Sequence, residues 1–343
     1  MRAMYFEQFN GPIEIRDIEV PYPAPKSVLI KVEATGLCRS DWHGYAGHDS
    51  DITLPHVPGH ELAGTIAQIG NQVKNFKIGD RVTVPFVNGC GNCDWCLSGN
   101  AQVCPAQTQP GFTHFGSFAE YVEIKNADFN LIHLPNEISF EVAAALGCRF
   151  ATAFRGLTAR GGINEGDLVA VIGCGGVGLS AVMIAKAFGA KVIAVDVNEV
   201  ALENARSTGA DFLFNSANAI EEIQNLGGAH ISIDALGHQN TAEIAVKSLR
   251  RLGKHIQLGL LLTEDGLTPM AMARVIGWEL ELIGSHGMAA VDYPQMLKMI
   301  IDGKLQPARF IKRTIPLEEA TSALANMESA VQDGITIIKP NSK

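Results

Sequence analysis

No run of about eighteen apolar residues occurs anywhere in this 343-residue chain, which excludes a membrane-spanning helix on length alone. An excess of positive charge is missing as well. Lys and Arg total 27 against 36 Asp and Glu, so at a net charge of -9 no basic surface awaits nucleic acid or anionic lipid. Any phosphate-bearing ligand must then be held by local geometry and not by the overall field. Residues 1–10 contain Arg2 and Glu7 but no continuous apolar core, so no secretory leader is expected there. Neither a disulfide framework nor an internal repeat stands out. The 7 cysteines are odd in number and clustered, which implies reduced thiols and a cytoplasmic setting.

What is present starts with that cluster. Cys90-Gly-Asn-Cys93-Asp-Trp-Cys96, followed by Cys104, has the spacing of four thiolates closed around one tetrahedral ion, a saturated structural zinc site. The length suits two domains, each with its own core. Up to about residue 132 the pattern is short and alternating, and 28–34, 62–69, 80–84 and 118–124 read as strands of a mainly antiparallel, partly barrel-like domain. Ser139 opens a helical, alanine-rich run that extends through residue 157. Beyond residue 167 strands alternate with helices: strands at 168–172, 191–195, 231–235, 255–258 and 280–284, helices at 177–188 and 199–207. That rhythm predicts a doubly wound parallel sheet. A helix over 292–302 leads to a last strand at 334–339, expected to rejoin the first domain. The fold class is therefore α/β, with one domain over 1–153 and 292–343, a cysteine lobe at 88–105, and a second domain over 154–291.

Gly173-Cys-Gly175-Gly176-Val177-Gly178 follows the apolar strand 168–172 and opens the next helix. In that setting the glycines let backbone N–H groups and a helix N-terminus approach a pyrophosphate, the fingerprint of a Rossmann cofactor domain. Asp196 ends the following strand, eighteen residues after Gly178, and no arginine follows it in Asp196-Val-Asn-Glu199. A carboxylate there accepts the ribose hydroxyls and repels a 2′-phosphate, which favours NAD over NADP. A bare tight turn is the competing reading of the glycines, and a helix N-cap that of Asp196. Cys174 reads as a small packing residue.

Cys38, His60 and Cys148 form a Cys2His set that could hold a second zinc with its fourth position open. Taken singly, Cys148 reads equally well as a buried thiol and His60 as a satisfied structural histidine. Together with C38-R-S-D-W-H43, G59-H-E61, G79-D-R-V82, the cysteine lobe, G147-C148 and the glycine loop, they make the chain resemble the zinc-containing medium-chain alcohol dehydrogenases over essentially its full length. For the Cys2His ligand set, alcohol dehydrogenase is the standard example.

The resemblance implies two zinc ions per subunit and NAD. Cys38, His60 and Cys148 would ligate the catalytic zinc, and Cys90, Cys93, Cys96 and Cys104 the structural one. Glu61 would be a neighbouring carboxylate able to swing onto the metal, and Asp41 the partner that fixes the His60 tautomer. Ser40 would meet the substrate oxygen and pass its proton outward, through the nicotinamide ribose, to His43. Arg39 would contact the pyrophosphate and Thr152 the nicotinamide. Phe86 and Val87 would wall the alcohol pocket, with Trp42 either shaping its entrance or packing in the core. The implied reaction is reversible hydride transfer between primary or small secondary alcohols and NAD, giving aldehydes or ketones. A polyol or amino-alcohol dehydrogenase, a zinc-free quinone or enone reductase, and a silent NAD-binding zinc protein are the alternatives. Cys148 tilts against the first, the cysteines and His60 against the second, and Ser40 with His43 against the third. A homotetramer is implied, with a dimer also open.

Overall fold

In the computed structural model, residues 1–261, 267–328 and 334–342 are described. The chain divides into two compact units, one of Met1–Ala151, Gly287–Asp302 and Pro307–Lys343, the other of Thr152–His286 and Gly303–Gln306.

The second unit is built on six parallel strands in the order Phe212–Asn215, Lys191–Asp196, Leu168–Ile172, Ala229–Asp234, Leu249–Gln257 and Glu281–Gly284. All five residues of Leu168–Ile172 are buried, as a continuous apolar run demands when helices cover both sheet faces. Chain order reverses around this strand, which has Lys191–Asp196 on one side and Ala229–Asp234 on the other. Ligands of doubly wound sheets bind beyond the strand ends at such a reversal. The sheet carries one strand the sequence pattern missed. Phe212–Asn215 is short, half-buried and at the edge, so neither length nor alternation marks it.

In the first unit a seven-stranded, largely antiparallel sheet runs Ile311–Pro316, Ile335–Lys339, Val28–Leu37, Glu61–Ile69, Arg81–Thr83, Ile132–His133. Tyr121–Ile124 adds to the first half of Val28–Leu37, while Ile335–Lys339 pairs with its second half. This branching, with register shifts in the long strand, gives the sheet its barrel-like character. The strand expected to rejoin the first domain does so, with Thr336 opposite Leu37. The unpredicted strand Ile311–Pro316 and helix Leu317–Ala325 lie just before it. Leu317, Ala320 and Leu324 of that helix pack against Phe6, Trp42 and Tyr45.

Two features position the site. Gly36 lies opposite Glu61, so the end of one strand and the start of the next bring Cys38 and His60 together. The alanine-rich run begins as predicted, with Ser139 Oγ accepting from Val142 N–H (3.3 Å), but it is not one regular helix. After Phe140–Ala144 it widens into a π-turn over Leu146–Phe150, which contains Cys148. Such widened turns recur where a helix must aim a functional side chain.

Ile193 is wholly buried in the parallel sheet. Ile193→Ala should lower the stability of the second unit by about 3 kcal/mol, read as a fall in the urea midpoint at unchanged slope.

Candidate active site

All four lobe cysteines present their sulfurs within 4.8 Å of one another. Thiolates at about 2.3 Å from one zinc ion stand about 3.8 Å apart along a tetrahedral edge. Here the Cys90 and Cys96 sulfurs are 3.9 Å apart and those of Cys93 and Cys104 are 3.7 Å apart. The set is thus spaced for a metal and not for disulfides. Charge makes the same argument. Backbone amides, that of Asn92 foremost, pull the Cys90 thiol down to about 6, while burial pushes Cys96 up to about 12. Four thiolates here need a cation to offset them. The lobe is anchored by Asn130, whose side chain accepts from Gly89 N–H (2.8 Å) and donates to Gly89 C=O (3.0 Å).

A second group gathers Cys38, His60, Glu61 and Cys148, again with ligand atoms within 4.8 Å. His60 is fully buried; its Nδ1 is 2.8 Å from Asp41 Oδ1, and its Nε2 has no hydrogen-bond partner. Asp41, itself buried, also accepts from Gly59 N–H (3.1 Å) and Cys38 N–H (2.9 Å). Gly59 is required there, since its φ is +105° and a Cβ would lie 2.5 Å from the Phe118 ring. Against burial, which lowers it, Asp41 holds the His60 imidazole well above its ordinary value. The hydrogen bond between the two thiols drives Cys38 well below its usual range and Cys148 well above. The donor set, two sulfurs and one orphaned imidazole nitrogen, fits a Cys2His zinc site.

Around it, Ser40 Oγ is 3.8 Å from Cys38 Sγ. His43, half-buried, has its Nδ1 3.0 Å from His48 Nδ1. Arg39 is exposed, with its guanidinium 5.3 Å from the Trp42 ring and Nη1 3.5 Å from Met327 C=O. Trp42 packs in the core beside Phe6 and Leu317, and not at an open surface. Phe86 and Val87 are buried, and the Phe86 ring stands 6.1 Å from His60. Thr152 is buried at the start of the second unit.

In that second unit the glycine loop has the shape of an anion cradle. Gly173 has φ +92°, and a Cβ on Gly178 would lie 1.8 Å from Gly173 O, so neither position tolerates a side chain. Gly175 faces open space, with nothing within 4 Å of an added Cβ, and Gly176 and Val177 begin the helix Gly176–Ala187. Its first N–H groups are free to meet a pyrophosphate. Asp196 closes the loop by accepting from Cys174 N–H (2.7 Å) and Asn198 N–H (2.9 Å). Each carboxylate oxygen keeps a further lone pair, the number two ribose hydroxyls require.

Residues 24–136 match the alcohol dehydrogenase GroES-like domain, and residues 176–302 match the zinc-binding dehydrogenase domain. An alcohol dehydrogenase of Geobacillus stearothermophilus is 33% identical over 99% of both chains. The chain belongs to the zinc-binding alcohol dehydrogenases. It is also 33% identical to an NAD-dependent alcohol dehydrogenase of Sulfurisphaera tokodaii, over 99% of this chain and 100% of that one. A solved alcohol dehydrogenase from Thermus sp. ATN1 superposes with a TM-score of 0.91 at 29% identity, covering 99% of each chain.

Two neighbours of the group Cys38, His60, Glu61 and Cys148 carry no signal in the sequence pattern strong enough to place them there. Arg149 Nη2 donates to Glu61 Oε2 (2.5 Å), and the Cys148 and Arg149 N–H groups reach Glu61 Oε1 at 3.1 and 3.3 Å. Glu61 is wholly buried, and burial raises its carboxyl despite the adjacent guanidinium. Tyr293, also buried, donates to Gly147 C=O at 3.4 Å, behind Cys148. The available signal was a lone arginine directly after Cys148 in an apolar stretch; Tyr293 gave none. Breaking a buried pair from one side costs about 3–5 kcal/mol. Arg149→Met should therefore destabilise by that order in denaturant unfolding, and Glu61→Gln added to it should recover most of the loss. Equal loss in both variants would show that Arg149 does not neutralise Glu61.

Proposed function

We propose that this dehydrogenase transfers hydride reversibly between primary or small secondary alcohols and NAD, giving aldehydes or ketones, with Cys38, His60 and Cys148 as ligands of the catalytic zinc. The observation that carries the assignment is the buried, unpartnered Nε2 of His60 beside two cysteine sulfurs, its other nitrogen fixed by Asp41. When bound, zinc supplies the Lewis acidity that acidifies a hydroxyl or polarises a carbonyl, and NAD supplies the hydride acceptor.

The remaining steps belong to side chains. Ser40 takes the alcohol's proton in oxidation and returns it in reduction. It precedes His43 by three residues on the helix Arg39–Tyr45, which puts both on one face. Burial first, then His48 and Arg39, lower the His43 imidazole below its usual value, so at neutral pH it is unprotonated and ready to accept. Arg149 occupies the Glu61 carboxylate, so Glu61 would reach a zinc held by Cys38, His60 and Cys148 only when that ion pair opens. Phe86 and Val87 line the alcohol side. In the second unit Gly173, Gly175, Gly176, Val177 and Gly178 cradle the pyrophosphate, Asp196 holds the adenosine ribose and Thr152 meets the nicotinamide; in the first unit Arg39 offers the cofactor a cation. Cys90, Cys93, Cys96 and Cys104 hold the structural zinc.

The working form is a homotetramer in the cytoplasm. The strand Glu281–Gly284 supports this, being the sheet edge with Leu282 exposed and able to pair with a second copy. All seven cysteines are free thiols, and among the described residues no helix is long and apolar enough to cross a membrane.

Metal analysis should find two zinc ions per chain, one of them removed by mild chelation together with all turnover. Cys38→Ser should lose turnover while NADH binding stays within about twofold. Full activity in either the variant or the fully stripped protein would overturn the assignment. Asp196→Gly should lower the preference for NAD over NADP by roughly tenfold or more, since a charge-assisted hydrogen bond contributes about 1.5–3 kcal/mol.

A further inference from the structure

The helix Arg39–Tyr45 ends in a way that brings His48 back onto His43. His48 N–H donates to His43 C=O (2.9 Å) and Gly47 N–H to Gly44 C=O (3.1 Å), with Gly47 at φ +81°. This 6→1 and 5→2 pattern, closed by a left-handed glycine, sets the residue after the glycine against the one five positions earlier. In most such helix ends that contact is apolar. Here two imidazoles occupy it, Nδ1 to Nδ1 at 3.0 Å, with the Trp42 ring 5.0 Å from His43 and 5.5 Å from His48. His43 is half-buried and His48 exposed.

We propose that His48 is the outer half of a two-imidazole proton relay, taking from His43 the proton that alcohol oxidation releases and handing it to water. The inference rests on the alcohol dehydrogenase reading above. An Nδ1–Nδ1 hydrogen bond holds one proton, so in the neutral pair one ring donates and the other accepts. With His43 as the donor, a proton arriving at its other nitrogen makes it an imidazolium. The shared Nδ1 proton then crosses to His48, and His48 releases its own Nε2 proton to solvent. One proton enters and one leaves. The pair ends neutral with its tautomers exchanged, and exchange with water at the two accessible rings resets it. Carbonyl reduction runs the same transfers inward. A single half-buried imidazole would have to rotate or await a water molecule for each proton; the second ring removes that wait.

Stopped-flow mixing of the zinc-loaded enzyme with NAD and an alcohol, in weak buffer with a pH indicator, separates proton release from NADH formation. In His48→Gln proton release should slow by about tenfold, because His43 still exchanges directly with water, and free imidazole in solution should restore it. NADH binding should be unchanged, since His48 is an exposed side chain that belongs to the unit without the glycine loop. Gly47→Ala tests the same pair with both imidazoles retained. A Cβ there would lie 3.0 Å from the Phe9 ring at a positive φ, so the helix end must reopen and release should slow as in His48→Gln. Wild-type proton release in His48→Gln, or slowing that imidazole does not relieve, would overturn the relay. Absence of NADH formation by the wild-type enzyme with every alcohol would instead defeat the underlying functional reading.

Discussion

The first unit's chemistry depends on where the Asp41 carboxylate sits. One buried oxygen accepts from Gly59 N–H and from His60, the other from Cys38 N–H, so a single side chain ties together the two segments that carry Cys38 and His60. A buried carboxylate is tolerated only when donors satisfy it, and three are supplied. The consequence for His60 is directional. Its Nδ1 is committed to Asp41, which fixes the tautomer and turns Nε2 toward the cysteine sulfurs. Remove Asp41 and the imidazole loses both its orientation and the anion that raises its basicity.

Glu61, next in sequence to His60, shows the opposite strategy for a buried acid. Asp41 is satisfied by Cys38, three residues away, and by Gly59 and His60, eighteen and nineteen residues away, whereas Glu61 is satisfied by Arg149, eighty-eight residues away, and by the N–H groups of Cys148 and Arg149. Glu61 therefore holds the π-turn carrying Cys148 to the strand that follows His60. Space around it is reserved by glycines: a Cβ on Gly36 would lie 2.5 Å from Glu61 Oε2, and one on Gly147 3.0 Å from Glu61 Cα. The lobe cysteines contrast with this arrangement. All four sulfurs come from a segment of fifteen residues, so their geometry is set almost locally and one metal ion would complete it.

That difference explains what could be read from the chain. The cysteine lobe and the glycine loop were legible because their geometry is encoded in short spacings, and the parallel-sheet strands because continuous apolar runs are hard to mistake. Residue type alone makes Cys38, His60 and Cys148 a candidate set, but only the resemblance makes them catalytic-zinc ligands, since nothing local says that residues 38, 60 and 148 meet. Arg149 and Tyr293 were missed for the same reason: their partners lie far along the chain, and a buried arginine looks like any other until its carboxylate is found. The strands Phe212–Asn215 and Ile311–Pro316 were too short to show a period. The helix Leu317–Ala325 carried a 3–4 spacing in Leu317, Ala320 and Leu324, but it sat in a tail read only for its last strand. The π-turn at Cys148 leaves no compositional mark, because its alanine-rich context suits a regular helix equally well.

A seven-residue helix is too short to be stable on propensity alone, yet Arg39–Tyr45 carries Ser40, Asp41 and His43 and begins beside Cys38. Its order must come from tertiary contacts, and its two faces divide that work. Trp42 and Tyr45 bury into the cluster with Phe6, Leu317 and Leu324, and the Tyr45 hydroxyl donates to Gly11 C=O at 2.6 Å. Asp41 pins the first turn through Cys38 N–H, and the glycine-closed end pins the last. Three restraints on two turns of helix leave Ser40 and His43 little freedom beyond their own rotamers, the preorganisation that the proposed proton transfer would require. It follows that Trp42 is a residue on which the alignment of Ser40 and His43 depends. The unpredicted helix Leu317–Ala325 matters for the same reason, as the surface against which that indole and phenol are held.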